Sequence, residues 1–511
     1  MKHRSDPKTI DTTGIESELH LEGQPGADVL AHSVQFVRTH SVRLTAVSAL
    51  LLVPCFWHRR IVASDLGSHL YNAWLAQLIR HGQAPGLWIA RQSTNVLFDL
   101  LLSGFGSAFG LRVAEKITVS LAVLIFFWGV FALVCAATWR ARWFLLPLIA
   151  IFTYGYTFHM GFFNYYLSLG LSFFSLAIFW RGQGWERLIA VAIGPLVLAA
   201  HPFGVVWLVG ACAYVRIAEV VPRRYHILLL LAAAAALLIT HHYFWNHYIV
   251  EAEEQPLYLF NGADQLDLFG FRYKILEIAV IVLALVSLTI DIGWRNTRKL
   301  WGLYGIPLQL YIVVELGAVL LPRGVHFPQH IAAIALITER LTTLSAVVGC
   351  CLLGAMRPSR WHAAWSVAVA CVFFFFLYQD TATVNQMEAQ VERLIDTLPR
   401  DQRVMGTILP PSDSRILVQH ILDRACIGHC FSYGNYEPGS AVFRVRALPD
   451  NPYVLSDYEL AVDMEEGTYT VQREDLPVYQ IYQCTPKGTD LCLRSLEAGE
   501  ENDRLGVHPD E

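Results

Sequence analysis

Charge is what this sequence has little of: Asp, Glu, Lys and Arg make up 16% of its 511 residues, against about 25% in an ordinary soluble protein. With 54% of the chain hydrophobic, the apolar surface is too large for water alone to solvate, and a soluble globular fold is excluded. Also missing are the nucleophile elbow, the Gly-rich phosphate loop and the dinucleotide fingerprint, and no nucleic-acid partner is expected. Ahead of Val42 there is neither the short apolar core nor the small-residue cleavage site of a secretory signal, so residues 1–41 read as a disordered cytoplasmic tail.

What is present is a series of apolar runs near the ~20 residues that cross ~30 Å of hydrocarbon. They recur from Val42 to Tyr378 and then stop. Charge divides at the same place: residues 380–511 carry 23 acidic and 11 basic side chains, net −12, and residues 1–379 carry net +7. The reading is a membrane domain over 42–379 and a soluble α+β domain over 380–511. The latter has a helix at about Val384–Leu398, an apolar run at Arg403–Leu409 and strands at Ala441–Ala447 and Thr468–Gln472. Spans fit at about 42–57, 112–137, 143–158, 163–180, 188–200, 203–217, 226–243, 275–292, 300–321, 331–356 and 363–379. Segment 188–217 could equally be one broken hairpin.

Short Arg-rich breaks, such as Arg140 with Arg142 and Arg295 with Arg298 and Lys299, belong on the cytoplasmic side. About eleven crossings then put the N-terminus inside and the C-terminal domain outside. Arg59 and Arg60, in the first outward loop, run against that rule.

Ten cysteines divide along the same line. Six (Cys55, Cys135, Cys212, Cys350, Cys351 and Cys371) lie in apolar spans as small hydrophobes. Cys426, Cys430, Cys484 and Cys492 lie in the soluble domain, an even set that suggests two disulfides, each within its own short loop. A zinc site is the other reading, but the spacings are not those of common zinc knuckles.

The outward loop 58–111 is longer than a helix connection needs. It contains Asp65-Leu-Gly-Ser-His69-Leu-Tyr-Asn72. On a helix Asp65 and His69 are one turn apart, and Leu70, Trp74, Leu75 and Leu78 form an apolar stripe. That describes an interfacial helix presenting a carboxylate and an imidazole, able to hold a divalent cation or to deprotonate a hydroxyl. The same residues also suit a plain helix cap with a solvated histidine. The later stretch Asn95–Gly110 reads as a juxtamembrane helix that does not cross.

An Asp just after the first span, a long outward loop, many spans and an outward C-terminal domain together resemble the GT-C superfamily of membrane glycosyltransferases. The likeness is to the bacterial branch of aminoarabinose transferases and protein mannosyltransferases, and to bacterial members with an Asp-x-x-x-His first loop. It implies transfer of a sugar from a polyprenyl-phosphate donor to a glycan, lipid or protein acceptor at the outer face of the bacterial cytoplasmic (inner) membrane, among membrane lipids. It also implies that Asp65 is a base or, with His69, a ligand of a divalent metal such as Mg or Mn. The chain departs from the family in lacking the adjacent acidic pair of the mannosyltransferases, and it has Thr94-Asn95-Val96-Leu97-Phe98 where the aminoarabinose transferases have Pro-Pro-Leu.

Other outward residues are candidates by chemistry. Arg323 could clamp a donor phosphate, with His326 and His330 adding charge or hydrogen bonds. His201 stands at a helix break at membrane depth, where an ionisable group can be functional or can simply bond a nearby carbonyl. Asn164 sits at a turn and reads as a cap. Glu339 and Arg340, adjacent inside a span, read as a structural ion pair, and the acidic and aromatic stretch His241–Tyr273 suits sugars and interfaces alike. The rival to a transferase is a non-enzymatic membrane protein, a transporter or an envelope-assembly subunit. A transporter should show repeated halves, and none is evident.

Overall fold

The computed structural model describes residues 29–253, 261–293, 297–328, 333–357, 359–411, 414–440, 442–485 and 488–503, with the side chains of 297–303 outside the description. The chain begins with α1 (Val29–Thr39), α2 (Ser41–Leu51) and α3 (Val53–Phe56). Pro54 stands at the start of α3, so the expected span 42–57 is two short helices. Then come α4 (Leu66–Arg80), strand β1 (Leu87–Ile89), α5 (Leu97–Phe109) and α6 (Leu111–Thr138).

The expected span 143–158 is likewise divided, into a 3-10 turn, α7 (Leu146–Thr153) and α8 (Tyr156–His159). After α9 (Phe163–Arg181), segment 185–200 is two short helices, α10 (Trp185–Ala192) and α11 (Gly194–Ala200), with Pro195 starting the second. Next are α12 (Pro202–Val220), α13 (His226–His247), β2 (Ile249–Glu251), α14 (Phe271–Gly293), α15 (Thr297–Leu320) and β3 (Gly324–His326). Helices α16 (Ile337–Ala355) and α17 (Arg360–Ile395) follow.

Seven helices among the described residues, α6, α9, α12, α13, α14, α16 and α17, are long and apolar enough to cross a membrane, and the chain is built as a polytopic membrane protein. Their apolar surface is partly exposed: α13 buries only His226, as expected of a helix solvated by lipid. The centre is denser. Helices α6 and α9 cross where Gly129 meets Gly170, and a Cβ at Gly129 would stand 2.5 Å from the Gly170 carbonyl oxygen. Phe126 and Tyr166 stack beside this crossing at 4.2 Å.

Helix α17 runs unbroken for 36 residues. The expected division at residue 380 therefore falls inside one helix, and the helix expected at Val384–Leu398 is its continuation. Beyond it lie β4 (Arg403–Thr407), α18 (Ile421–Cys426), β5 (Phe431–Ser432), β6 (Val445–Ala447), α19 (Tyr458–Glu466), β7 (Val478–Gln483) and β8 (Leu491–Leu496). The sheet has order β5-β4-β7-β8, with β4 parallel to both neighbours and β7 antiparallel to β8. Expected strand 468–472 is not one; only an isolated bridge, Thr470 to Glu501, forms there. Of expected strand 441–447 only β6 appears, Ala441 lying outside the described residues. Both disulfides are present, Cys426–Cys430 and Cys484–Cys492.

Two features bind this C-terminal part to the first loop. Strand β1 pairs antiparallel with β6, Leu87 opposite Ala447. A buried ionic network also joins Arg60 to Glu388 (3.2 Å) and Glu392, and joins Arg424 to Glu388 (3.4 Å) and Glu115 (3.3 Å). The cations that break the positive-inside pattern are thus paired: Arg60 here, and Arg59 with Glu392 at 3.2 Å.

Candidate active site

Helix α4 starts at Asp65, but the carboxylate makes no capping hydrogen bond. The backbone is fixed from outside instead. Ser64 N–H donates to His159 O (2.7 Å) and Asp65 N–H to Met160 O (3.1 Å). The turn that supplies these carbonyls ends at Gly161, with φ +82°, where a Cβ would meet Asp65 N at 2.6 Å. Only glycine fits such a positive φ under a close backbone contact. Helix α4 is also more buried than an interfacial helix should be: its first two turns, Leu66 to Ala73, are buried all round, between α5 on one side and α18 of the C-terminal part on another. Gly67 is the closest point, where a Cβ would stand 2.0 Å from the His420 carbonyl oxygen.

His69 does not reach back to Asp65. Its Nδ1 pairs with Asp99 Oδ1 of α5 at 2.8 Å. Asp99 Oδ2 in turn accepts from Asn164 Nδ2 (2.8 Å), and Asn164 Oδ1 accepts the Phe98 N–H (2.8 Å). Asn164 is therefore a cap, as the sequence suggested, but of α5 rather than of its own helix, and it also orients Asp99. Burial opposes the charge on His69, yet Asp99, with Glu437 and Asp65 behind it, lifts the imidazole to about 9. Burial alone would raise Asp99; His69, Asn164 and Arg444 outweigh it and hold the carboxyl below its usual range.

Facing Asp65 is a residue the sequence did not flag. His420 is 1% exposed, and its Nε2, with no hydrogen-bond partner, lies 4.0 Å from Asp65 Oδ1. Its Nδ1 pairs with Asp423 Oδ2 at 2.8 Å, and Asp423 Oδ1 accepts the Ser432 hydroxyl at 2.5 Å. Burial disfavours the imidazolium, but the Asp423 bond outweighs it and brings His420 to about 10. The carboxyl of Asp65, 27% exposed, is raised by burial and partly brought back by His420, His69 and Arg340. Below it, Ser68 Oγ (2.6 Å) and Asn72 Nδ2 (2.5 Å) both donate to Glu437, which burial lifts to about 7 against the pull of His69.

The expected ion pair of Glu339 with Arg340 does not form. Glu339 pairs with Arg323 at 3.4 Å. Arg340 has no carboxylate partner within ion-pair distance among the described residues; its guanidinium stands over Phe162 (4.8 Å) and Tyr165 (5.8 Å). Neighbours in a helix project about 100° apart, so these two face different surroundings. Arg323, expected to hold a phosphate, is thus occupied by Glu339 and by Glu253 at 3.8 Å. His326 pairs with Glu251 at 3.2 Å where β2 meets β3. His201 caps α12, its Nδ1 accepting the Phe203 N–H at 3.1 Å, with its ring 5.5 Å from Tyr165. His330 lies outside the described residues. The stretch from His241 is helix as far as His247, so its histidines belong to α13 rather than to a loop, and residues 254–260 lie outside the described residues.

Asp65, whose carboxylate has no hydrogen-bond donor among the described residues, lies 4.0 Å from His420 Nε2 and within electrostatic reach of His69 and Arg340. Among the described residues no three His, Cys, Asp or Glu side chains converge as metal ligands. The charges of His420, His69 and Arg340 lower Asp65, while Glu465 and Glu437 share its neighbourhood, and the candidate metal ligand His69 is paired with Asp99 at 2.8 Å. Of the residues missed in the sequence, only His420 and Asp423 carried a signal, their spacing of one helical turn. Comparison with protein-family models, curated proteins and solved structures finds no match.

Proposed function

We propose that the chain is a GT-C-type glycosyltransferase that moves a sugar from a polyprenyl-phosphate donor to an acceptor hydroxyl at the extracytoplasmic face of a bacterial cytoplasmic membrane. The observation that carries this reading is Asp65: a carboxylate with no hydrogen-bond donor among the described residues, raised by burial, within electrostatic reach of the Arg340 guanidinium. Asp65 takes the proton of the acceptor hydroxyl as its oxygen bonds to the anomeric carbon. The bond from that carbon to the phosphate oxygen breaks, and the electron pair leaves with the phosphate. Arg340 meets the phosphate charge, a role its planar fork suits. His69, held by Asp99, and His420, held by Asp423, keep positive charge beside the ionised Asp65. A raised carboxyl suits a base that works near neutral pH, and no step is assigned to a metal.

In this reading the N-terminus is cytoplasmic, and the sheet β5-β4-β7-β8 with its disulfides lies outside, where oxidising conditions maintain them. The test is Asp65→Asn in a transfer assay with polyprenyl-phosphate sugars. Because Asp65 makes no cap bond, Asn preserves the helix start, while the loss of the base lowers turnover by roughly 10²–10⁴. Transfer by the variant at near wild-type rate, with insertion and stability unchanged, sinks the proposal.

A further inference from the structure

Around Asp65 and His420, several polar groups of the C-terminal part lack partners among the described residues. Glu465 makes no hydrogen bond or ion pair among the described residues, and neither the Tyr436 nor the Tyr458 hydroxyl has a protein partner. Tyr458 and Glu465 stand two turns apart on one face of α19. That helix is fixed at its start by Asp457, which accepts from Glu459 and Leu460 N–H. Tyr436 precedes Glu437, which Ser68 and Asn72 hold against α4.

The four groups share a neighbourhood. The charge of Asp65 acts on both Tyr436 and Glu465, and Glu465 acts on Tyr458 and His420. The Tyr436 ring lies 5.7 Å from His420 and meets Tyr458 edge-on at 5.8 Å and 88°. The buried, unpartnered Nε2 of His420 faces the same space. Burial raises Glu465 to about 8, so near neutral pH its carboxyl is mostly protonated and can donate as well as accept.

We infer that Asp65, Glu465, Tyr436 and Tyr458 form a subsite for a neutral sugar, and that this is where the acceptor's saccharide portion sits. Carboxylates accept from paired hydroxyls, tyrosines set at right angles offer one ring face and one hydroxyl each, and a sugar ring needs both kinds of contact. Glu465 and Glu437, lifted to about 8 and about 7, carry at most partial charge near neutral pH, so the wall offers donors and acceptors together, as the hydroxyls of a neutral ring require. Asp65 is the member shared with the proposed transfer, taking the proton of the incoming hydroxyl that this aromatic wall would hold. The inference rests on the transferase reading for the word acceptor, but not for the binding itself.

The test is equilibrium binding, by saturation-transfer NMR on the full chain in detergent micelles, of methyl glucoside, methyl glucosaminide and methyl glucuronide. The wild type should bind the neutral glucoside more tightly than either charged analogue. Glu465→Gln and Tyr458→Phe should each weaken binding about tenfold or more, the loss expected when a hydrogen bond involving a charged or buried polar group goes unmade. Tyr436→Phe, which keeps the packing against His420, provides a second variant if Glu465→Gln does not fold by circular dichroism. No binding of any probe to the wild type, or equal binding by all folded variants, overturns the subsite. Variant-sensitive binding by a wild type that transfers no sugar from any polyprenyl-phosphate donor leaves the subsite standing and defeats the transferase reading.

Discussion

His420, near the C-terminal end of the chain, points its one unpartnered ring nitrogen at Asp65, in the first loop, across 4.0 Å. Asp423 holds the other nitrogen at 2.8 Å, so the imidazole is fixed in orientation and in charge. Everything proposed for the site depends on two distant stretches of chain being pressed together at this point.

The two buried imidazoles make stability depend on pH in a defined direction. His69 is raised from 6.5 to about 9 and His420 to about 10. Between those limits the folded state holds more protons than the unfolded one, so the stabilisation is fully present below pH 6.5 and is lost as pH rises through 9 and 10. Thermal unfolding in detergent should show a falling melting temperature from pH 6.5 to 10, with roughly 3 kcal/mol as an upper bound for His69. Asp99→Asn should flatten the lower part of that slope. A melting temperature rising over this range would contradict the assignment.

Arg340 and Arg323 should separate cleanly in kinetics. Arg340→Lys keeps the charge but loses the planar fork, so the KM for a polyprenyl-phosphate donor should rise about tenfold or more with little change in melting temperature. Arg323→Ala instead strands Glu339, 4% exposed, and should cost about 1–3 kcal/mol of stability. The donor KM should stay near wild type. The reverse pattern would return the phosphate to Arg323.

Gly67→Ala tests the contact between α4 and the His420 backbone. The added Cβ would overlap the carbonyl oxygen at 2.0 Å, and neither partner is a side chain that can move aside. Sugar transfer should fall at least tenfold, by analogy with the cost of a ~1 Å misplacement, and the melting temperature should drop. Gly104→Ala, in α5 with nothing within 4 Å, is the control and should be neutral or up to about 1 kcal/mol stabilising.

The two disulfides should open at different rates. Cys426 and Cys430 are 0% and 1% exposed, while Cys484 and Cys492 are half-buried. Exchange requires access to sulfur, so alkylation followed by mass spectrometry during mild reduction should find Cys484 and Cys492 labelled first. Labelling of Cys426 and Cys430 should await unfolding. Free labelling of all four before reduction would remove the disulfides altogether.

Sequence periodicity and composition located the long apolar helices, and cysteine parity with short spacings pointed to the two disulfide loops. Helix α4 and the one-turn spacing of Asp65 and His69 were also legible, because local geometry determines them. What those residues touch was not. Asp99, Glu437 and His420 reach them only through tertiary packing, which leaves no periodic trace in the sequence. Arg340 was misjudged for a related reason: adjacency in sequence suggested a pair, while helical rotation turns Glu339 toward Arg323. The short helices α2, α3, α7 and α8 show where counting apolar residues overestimates length, since Pro54 and the break at Tyr154–Gly155 divide what hydropathy joins.

Helix α17 has a mechanical consequence. At 1.5 Å per residue its 36 residues form a rod of about 54 Å, apolar at one end and, at the other, carrying Glu388 and Glu392, which grip Arg60 and Arg424. No flexible hinge separates the two ends. In a bilayer, a change of thickness that tilts the apolar end must swing the other end with it and drag α18, with Asp423 and Arg424, relative to α4. The wall opposite Asp65 should therefore respond to the lipid: reconstitution in bilayers of graded acyl-chain length is expected to change the separation of His420 from Asp65.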